Sequence, residues 1–177
     1  KDGKVYHYTT VQAGQPYYSK GVGVAVADNP LGPFVGARGT PLIADVMTSN
    51  GERGWWNNID PTVYIDDDGT PWLCWGNGTC FFVKLKKNMI ELDGPIEILH
   101  LPKFMEGPWL HKHGELYYLT YASEGDGREM IHDATAPSIE GPWTFCGALT
   151  GMADNSFTIH PGIIEYKGQS FLFYHNA

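Results

Sequence analysis

Three stretches of this chain share one layout: an ionisable residue, a short β-favouring run, a glycine turn and a second β-favouring run. They are Asn58-Ile-Asp60-Pro-Thr-Val-Tyr-Ile-Asp-Asp-Asp-Gly69-Thr-Pro-Trp-Leu-Cys-Trp-Gly76, Glu106-Gly-Pro-Trp-Leu-His-Lys-His-Gly114-Glu-Leu-Tyr-Tyr-Leu-Thr-Tyr121 and His160-Pro-Gly-Ile-Ile-Glu-Tyr-Lys-Gly168-Gln-Ser-Phe-Leu-Phe-Tyr174. Asp60 stands nine residues before Gly69; Glu106 and His160 each stand eight before Gly114 and Gly168. Val63, Tyr64 and Ile65 suit a pleated surface, Asp66 to Gly69 is turn material, and Trp72 to Trp75 resume an apolar strand. A fourth copy, Asp2-Gly3-Lys-Val-Tyr-His-Tyr-Thr, opens the chain without its upstream half, so the chain is expected to start inside a unit.

A second element also repeats. Ala27-Asp-Asn-Pro-Leu-Gly-Pro-Phe34 and Ala134-Thr-Ala-Pro-Ser-Ile-Glu-Gly-Pro-Trp143 share an early Ala and Pro and a closing Gly-Pro-aromatic. Each unit therefore holds about four strands, two before this connection and two around it, which is a propeller blade in outline. The turn glycines Gly3, Gly69, Gly114 and Gly168 are separated by 66, 45 and 54 residues, close to known propeller repeats of roughly 40 to 50. No segment of useful length shows a helical period, so the fold class is all-β. Three nearly complete units do not close a ring of four to eight blades, and the chain reads as part of a larger domain. Its strands include residues 1–10, with Tyr6 and Tyr8 on one face, and 21–28.

Composition narrows the partner. Apolar residues make up 42% of the 177 and aromatics 14%, enough for a real core. A net charge of -8 with only 12 Lys and Arg argues against a nucleic-acid partner, which is held through clustered cations. No apolar run reaches the length of a membrane span, so no membrane partner is expected. Cys74, Cys80 and Cys146 have neither a disulfide framework nor zinc spacing and read as free thiols. The glycines of 21–28 are no dinucleotide fingerprint, because Val26 stands where the third glycine belongs. A neutral ligand fits best.

Radial blades bring equivalent strand-leading positions together on the axis, so Asp60, Glu106 and His160 are expected to line one pocket. Singly, each has an ordinary reading as a turn, loop or capping residue; their shared register points to a site. Two carboxylates across a pocket are the minimum equipment for glycoside hydrolysis. Glu106 suits the proton donor, since Phe104, Met105, Pro108 and Trp109 would desolvate it and an ionised Asp60 would repel its anion, both raising its pKa. Trp109, Trp56 and Trp55 are candidates for stacking on a sugar face, whereas Trp72, Trp75 and Trp143 are expected to pack. His111 and His113 read as solvated turn residues.

Ile59-Asp60-Pro61 through Gly69 with Trp75-Gly76, then Glu106-Gly107-Pro108 with Tyr117-Tyr118-Leu-Thr-Tyr121, then His160-Pro-Gly-Ile-Ile with Phe173-Tyr174-His175, together resemble glycoside hydrolase family 43 over nearly the whole chain. The resemblance implies a five-bladed β-propeller, of which about blades two to five are present in part, so that residues 1–177 form one catalytic domain truncated at both ends. It implies an inverting hydrolase of arabinose- or xylose-containing oligo- and polysaccharides. Asp60 matches the residue that orients and tunes the acid, and Glu106 matches the general acid. The family's aspartate base lies on its first blade and has no match here, so the chain alone is expected not to hydrolyse glycosides. A histidine at the place of His160 implies an axial calcium ion or water cluster, as a metal neighbour or substrate contact; no cofactor is required. The competing classes are a non-catalytic carbohydrate-binding propeller and a kelch-like interaction propeller.

Overall fold

The structure is a computed structural model that describes residues 1–12, 19–48 and 56–176. Its strands are β1 (Val5–Gln12), β2 (Lys20–Ala27), β3 (Val35–Gly36), β4 (Thr62–Ile65), β5 (Pro71–Trp75), β6 (Cys80–Lys84) and β7 (Glu97–Leu99). They continue as β8 (Phe104–His113), β9 (Leu116–Glu124), β10 (Glu129–Ala136), β11 (Thr144–Ala148), β12 (Gly162–Tyr166) and β13 (Gln169–Phe173). One 3-10 turn, Asp45–Met47, is the helical element among the described residues. The all-β expectation holds.

Every sheet is an antiparallel meander. β4-β5-β6-β7 and β8-β9-β10-β11 are complete four-stranded blades, flanked by the three-stranded β1-β2-β3 and the two-stranded β12-β13. Of the strands leading the last three sheets, β4 and β12 begin two residues after Asp60 and His160, β8 begins two residues before Glu106, and β8 contacts both β4 and β12. Gly69, Gly114 and Gly168 each take a left-handed φ, of 81°, 59° and 73°, at the turn that reverses the chain. The repeated connection holds too: it leads from β2 to β3 and from β10 to β11.

The period of two along β5 and β6 explains why they read as continuous apolar runs. Leu73, Trp75, Phe81 and Val83 pack with Val22 and Val24 of the first sheet, while Cys74, Cys80 and Phe82 pack with Leu110, Leu119 and Tyr121 of the third. A blade between two others buries both faces. Tyr6 and Tyr8 join the first of these cores, and Trp72 stacks on Phe82 with ring centroids 4.8 Å apart. The expected packing roles of Trp72, Trp75 and Trp143 are met.

Candidate active site

Asp60, Glu106 and His160 come together as their register requires: one ligand-type atom from each lies within 4.8 Å of the others. Each backbone arrives differently. Asp60 takes φ 54° just ahead of β4, with its N–H donating to Thr10 Oγ1 at 3.3 Å. Aspartate is among the few side-chain-bearing residues that tolerate this region. Glu106 sits between two bulges of β8, a device that re-aims a side chain out of strand alternation. Gly107, with φ 57°, follows at once, and the His160 ring lies directly over it, so that a Cβ there would stand 2.9 Å from the ring Cγ.

The trio has a definite hydrogen-bond order. His160 Nε2 lies 2.8 Å from Glu106 Oε1 and 3.8 Å from Asp60 Oδ2. Asn77 Nδ2 donates to Glu106 Oε2 at 2.7 Å. Glu106 is 9% exposed, yet both of its oxygens are engaged. Asp60 Oδ2 is buried without a hydrogen-bond partner.

These contacts reverse the expected electrostatics of Glu106. Its carboxyl is held below the usual range, chiefly because His160 donates to its anion, with Asn77 adding to the effect and burial opposing it. The partner moves the other way: Glu106 raises the His160 imidazole against the cost of burial, helped by the charges of Asp60 and Glu129. It is Asp60 whose carboxyl is raised, first by burial and then by Glu106, while His160 and the Gly107 amide pull it down. Burial does push the Glu106 carboxyl up, as its apolar neighbours imply, and the His160 imidazole outweighs it. The site therefore favours an imidazolium–carboxylate pair beside a carboxyl biased toward its neutral form.

Other expectations sort as follows. Trp109 is half-buried, donates its indole N–H to Ile163 O at 3.0 Å and lines an open pocket of about 570 Å³ with Val5 to Tyr8, Thr62 and Val63. That pocket is not lined by Asp60, Glu106 or His160, and the indole bond of Trp109 ties β8 to β12. Trp56 is 55% exposed near Asp60 in sequence, with Lys20 Nζ 5.1 Å from its ring centroid. Trp55 lies outside the described residues. His113 is exposed, but His111 is not the solvated residue expected: it stacks on Tyr118, and burial pushes its imidazole down to about 4. Cys74 and Cys80 are fully buried free thiols and Cys146 is exposed.

Two residues of the site were not found by sequence reasoning. Asn77, in the β5–β6 hairpin, has no motif of its own beyond following Trp75-Gly76. Glu129, at the start of β10, is 7% exposed and accepts the Ile159 N–H at 3.0 Å. Burial pushes it up to about 7, with Glu106 and Asp60 raising it further and His160 lowering it.

Calcium, implied near His160, fits these residues poorly. It takes six to eight oxygen ligands, and here Glu106 is committed through both oxygens and His160 Nε2 points at one of them. Asp60 Oδ2 is buried without a hydrogen-bond partner.

A pH dependence follows from the buried acids. Glu129, raised from its ordinary 4.5 to about 7, and Asp133, raised by burial from 3.8 to about 6, contribute stability that is complete below their unfolded values and lost as pH rises through the folded ones. His160 and Asp60, also raised, act in the same direction. Glu106, lowered, acts oppositely and only as pH falls below about 4.5. Stability is therefore expected to peak near pH 5 and decline toward pH 8, with Glu129 contributing up to about 3 kcal/mol of the decline. Urea melts across this range check it: Glu129→Gln should flatten the slope, and a wild-type optimum above pH 7 contradicts the assignment.

Comparison with known proteins adds a consistent frame. The description "Glycosyl hydrolases family 43" matches residues 1–133. A xylosidase/arabinosidase of Bacteroides ovatus is 27% identical over 219 residues, which takes in 100% of this chain and 62% of that protein. An α-L-arabinofuranosidase from Clostridium thermocellum superposes with a TM-score of 0.82 at 27% identity, over 99% of this chain and 58% of that one. The GH43_1 enzyme from Xanthomonas citri, complexed with xylotriose, gives 0.82 at 28% identity over 99% and 61%. The chain thus spans about three-fifths of the length of these relatives.

Proposed function

This chain belongs to glycosyl hydrolase family 43, and on that premise we propose that it forms most of the active site of an inverting glycosidase of arabinose- or xylose-containing oligo- and polysaccharides. The observation that carries this reading is the convergence of Asp60, Glu106 and His160 on one point from three successive sheets. Glu106 is the general acid. The proton it delivers to the leaving oxygen is held on His160 Nε2, 2.8 Å away, so that transfer along this hydrogen bond yields neutral Glu106 and neutral imidazole. Asp60, beside both, opposes a second negative charge at the site when it is itself ionised, and in that state favours the protonated form.

Inversion also needs a carboxylate that activates water on the opposite face of the sugar, about 6.5 to 9.5 Å from the acid. We propose that this base is neither Asp60 nor Glu106 and is supplied from outside these 177 residues. A structural calcium ion is likewise not required for the roles given to Asp60, Glu106 and His160.

Hydrolysis of aryl α-L-arabinofuranosides and β-xylosides tests the reading. The 177-residue chain is expected to show no turnover, and a longer form adding one upstream blade is expected to hydrolyse with inversion, read by NMR of the first-formed anomer. In that form Glu106→Gln should lower kcat by about 10²–10⁴ for poor leaving groups and much less for good ones, which need no acid. Binding of xylo-oligosaccharide without turnover by the longer form would favour the non-catalytic propeller instead.

A further inference from the structure

The backbone of His160 is delivered by a long irregular segment. Residues 149–161 lead from β11 to β12 without strand structure, yet the imidazole must meet Glu106 at hydrogen-bond distance. One residue of the neighbouring β10 holds this segment at three points. The Glu129 N–H donates to Phe157 O at 3.1 Å, its carbonyl accepts the Ala153 N–H at 3.0 Å, and its side-chain Oε2 accepts the Ile159 N–H at 3.0 Å. Around it, Arg128 Nη1 donates to Ala153 O at 2.9 Å, and Ile131, Ala153 and Ile159 form a fully buried cluster.

We propose that Glu129 is a positioning residue, whose side-chain carboxylate clamps the Ile159 amide and thereby holds His160 in register with Glu106. The two backbone bonds would survive any side-chain change; the third depends on the length and the acceptor oxygen of Glu129 alone. That bond is made to the residue immediately before His160, so its loss frees the Thr158–Ile159 peptide, one peptide short of the imidazole-bearing residue. A buried carboxylate committed through one oxygen to a backbone N–H is costly to leave unpaired, and correspondingly effective as an anchor.

The consequence for catalysis rests on the proposed role of Glu106, but the clamp does not, so it is read without activity. The charged or titratable groups around His160 are Glu106, Asp60, Glu129 and His175, and its imidazole titration reports whether the Glu106 contact persists. The experiment is hydrogen exchange at the Ile159 amide together with ¹⁵N titration of the His160 ring. Glu129→Asp, which keeps the charge and withdraws the oxygen by one methylene, is expected to speed Ile159 exchange about tenfold and lower the His160 midpoint toward that of free imidazole. Glu129→Gln, which keeps the reach and an acceptor oxygen, is expected to preserve Ile159 protection and most of the His160 shift. An unchanged His160 midpoint in Glu129→Asp overturns the proposal even if stability falls, since a merely structural role predicts that outcome. Equal losses in the two variants overturn it as well.

Discussion

Gly107→Ala is expected to drive the His160 ring away from Glu106 and to cost about 3 kcal/mol. Two physical terms add. A side chain at φ 57° costs roughly 1–2 kcal/mol in the left-handed region, and the new Cβ would stand 2.9 Å from His160 Cγ and 3.0 Å from Cδ2, overpacking worth about 1–3 kcal/mol. The ring cannot give way freely, because His160 is bonded to Glu106 on one side and faces His175, 5.6 Å between ring centroids, on the other. Urea denaturation gives the energy. The imidazole chemical shift tells whether the ring moved, and a variant as stable as wild type with an unmoved His160 would show that the glycine is not required there.

Asn58→Leu should cost a comparable or larger amount, about 3–5 kcal/mol, by leaving polar groups buried without partners. Asn58 is fully buried; its Oδ1 accepts from Trp75 Nε1 at 2.8 Å and Thr48 Oγ1 at 2.9 Å, and its Nδ2 donates to Lys20 O at 3.2 Å. The amide thus joins the first and second sheets just two residues before Asp60. Trp75→Phe alone removes one partner, and in the double variant the indole N–H no longer exists to be orphaned. The double variant is therefore expected to lose less than the sum of the two single losses, by about 1 kcal/mol or more, in a double-mutant cycle. Strict additivity would show that the Trp75–Asn58 bond carries no coupling.

The same residues show how far sequence reading reached. Asp60, Glu106 and His160 could be found because each is tied by a fixed count to a turn glycine, and strand length converts that count into position along the axis. The alternation in β5 and β6 was equally legible as apolar runs, although which face met which neighbour was not. Asn77 and Glu129 escaped because neither stands at the entry to the first strand of a sheet. They belong to the β5–β6 and β9–β10 hairpins, and only the packing of one sheet on the next brings Asn77 to Glu106 and Glu129 to Ile159.

The charge state of Glu106 marks the boundary between the two kinds of information. From sequence, its apolar neighbours and a nearby aspartate imply a raised pKa, and burial does push that way. A 2.8 Å contact with an imidazole 54 residues later outweighs them. Sequence by itself determined the all-β class, the blade repeat and the identity of the three axial groups, because period, turn chemistry and spacing are local properties. Tertiary structure decided which pairs of those groups share a proton, since hydrogen bonding acts over a fraction of an ångström, and chain spacing does not determine distance at that scale.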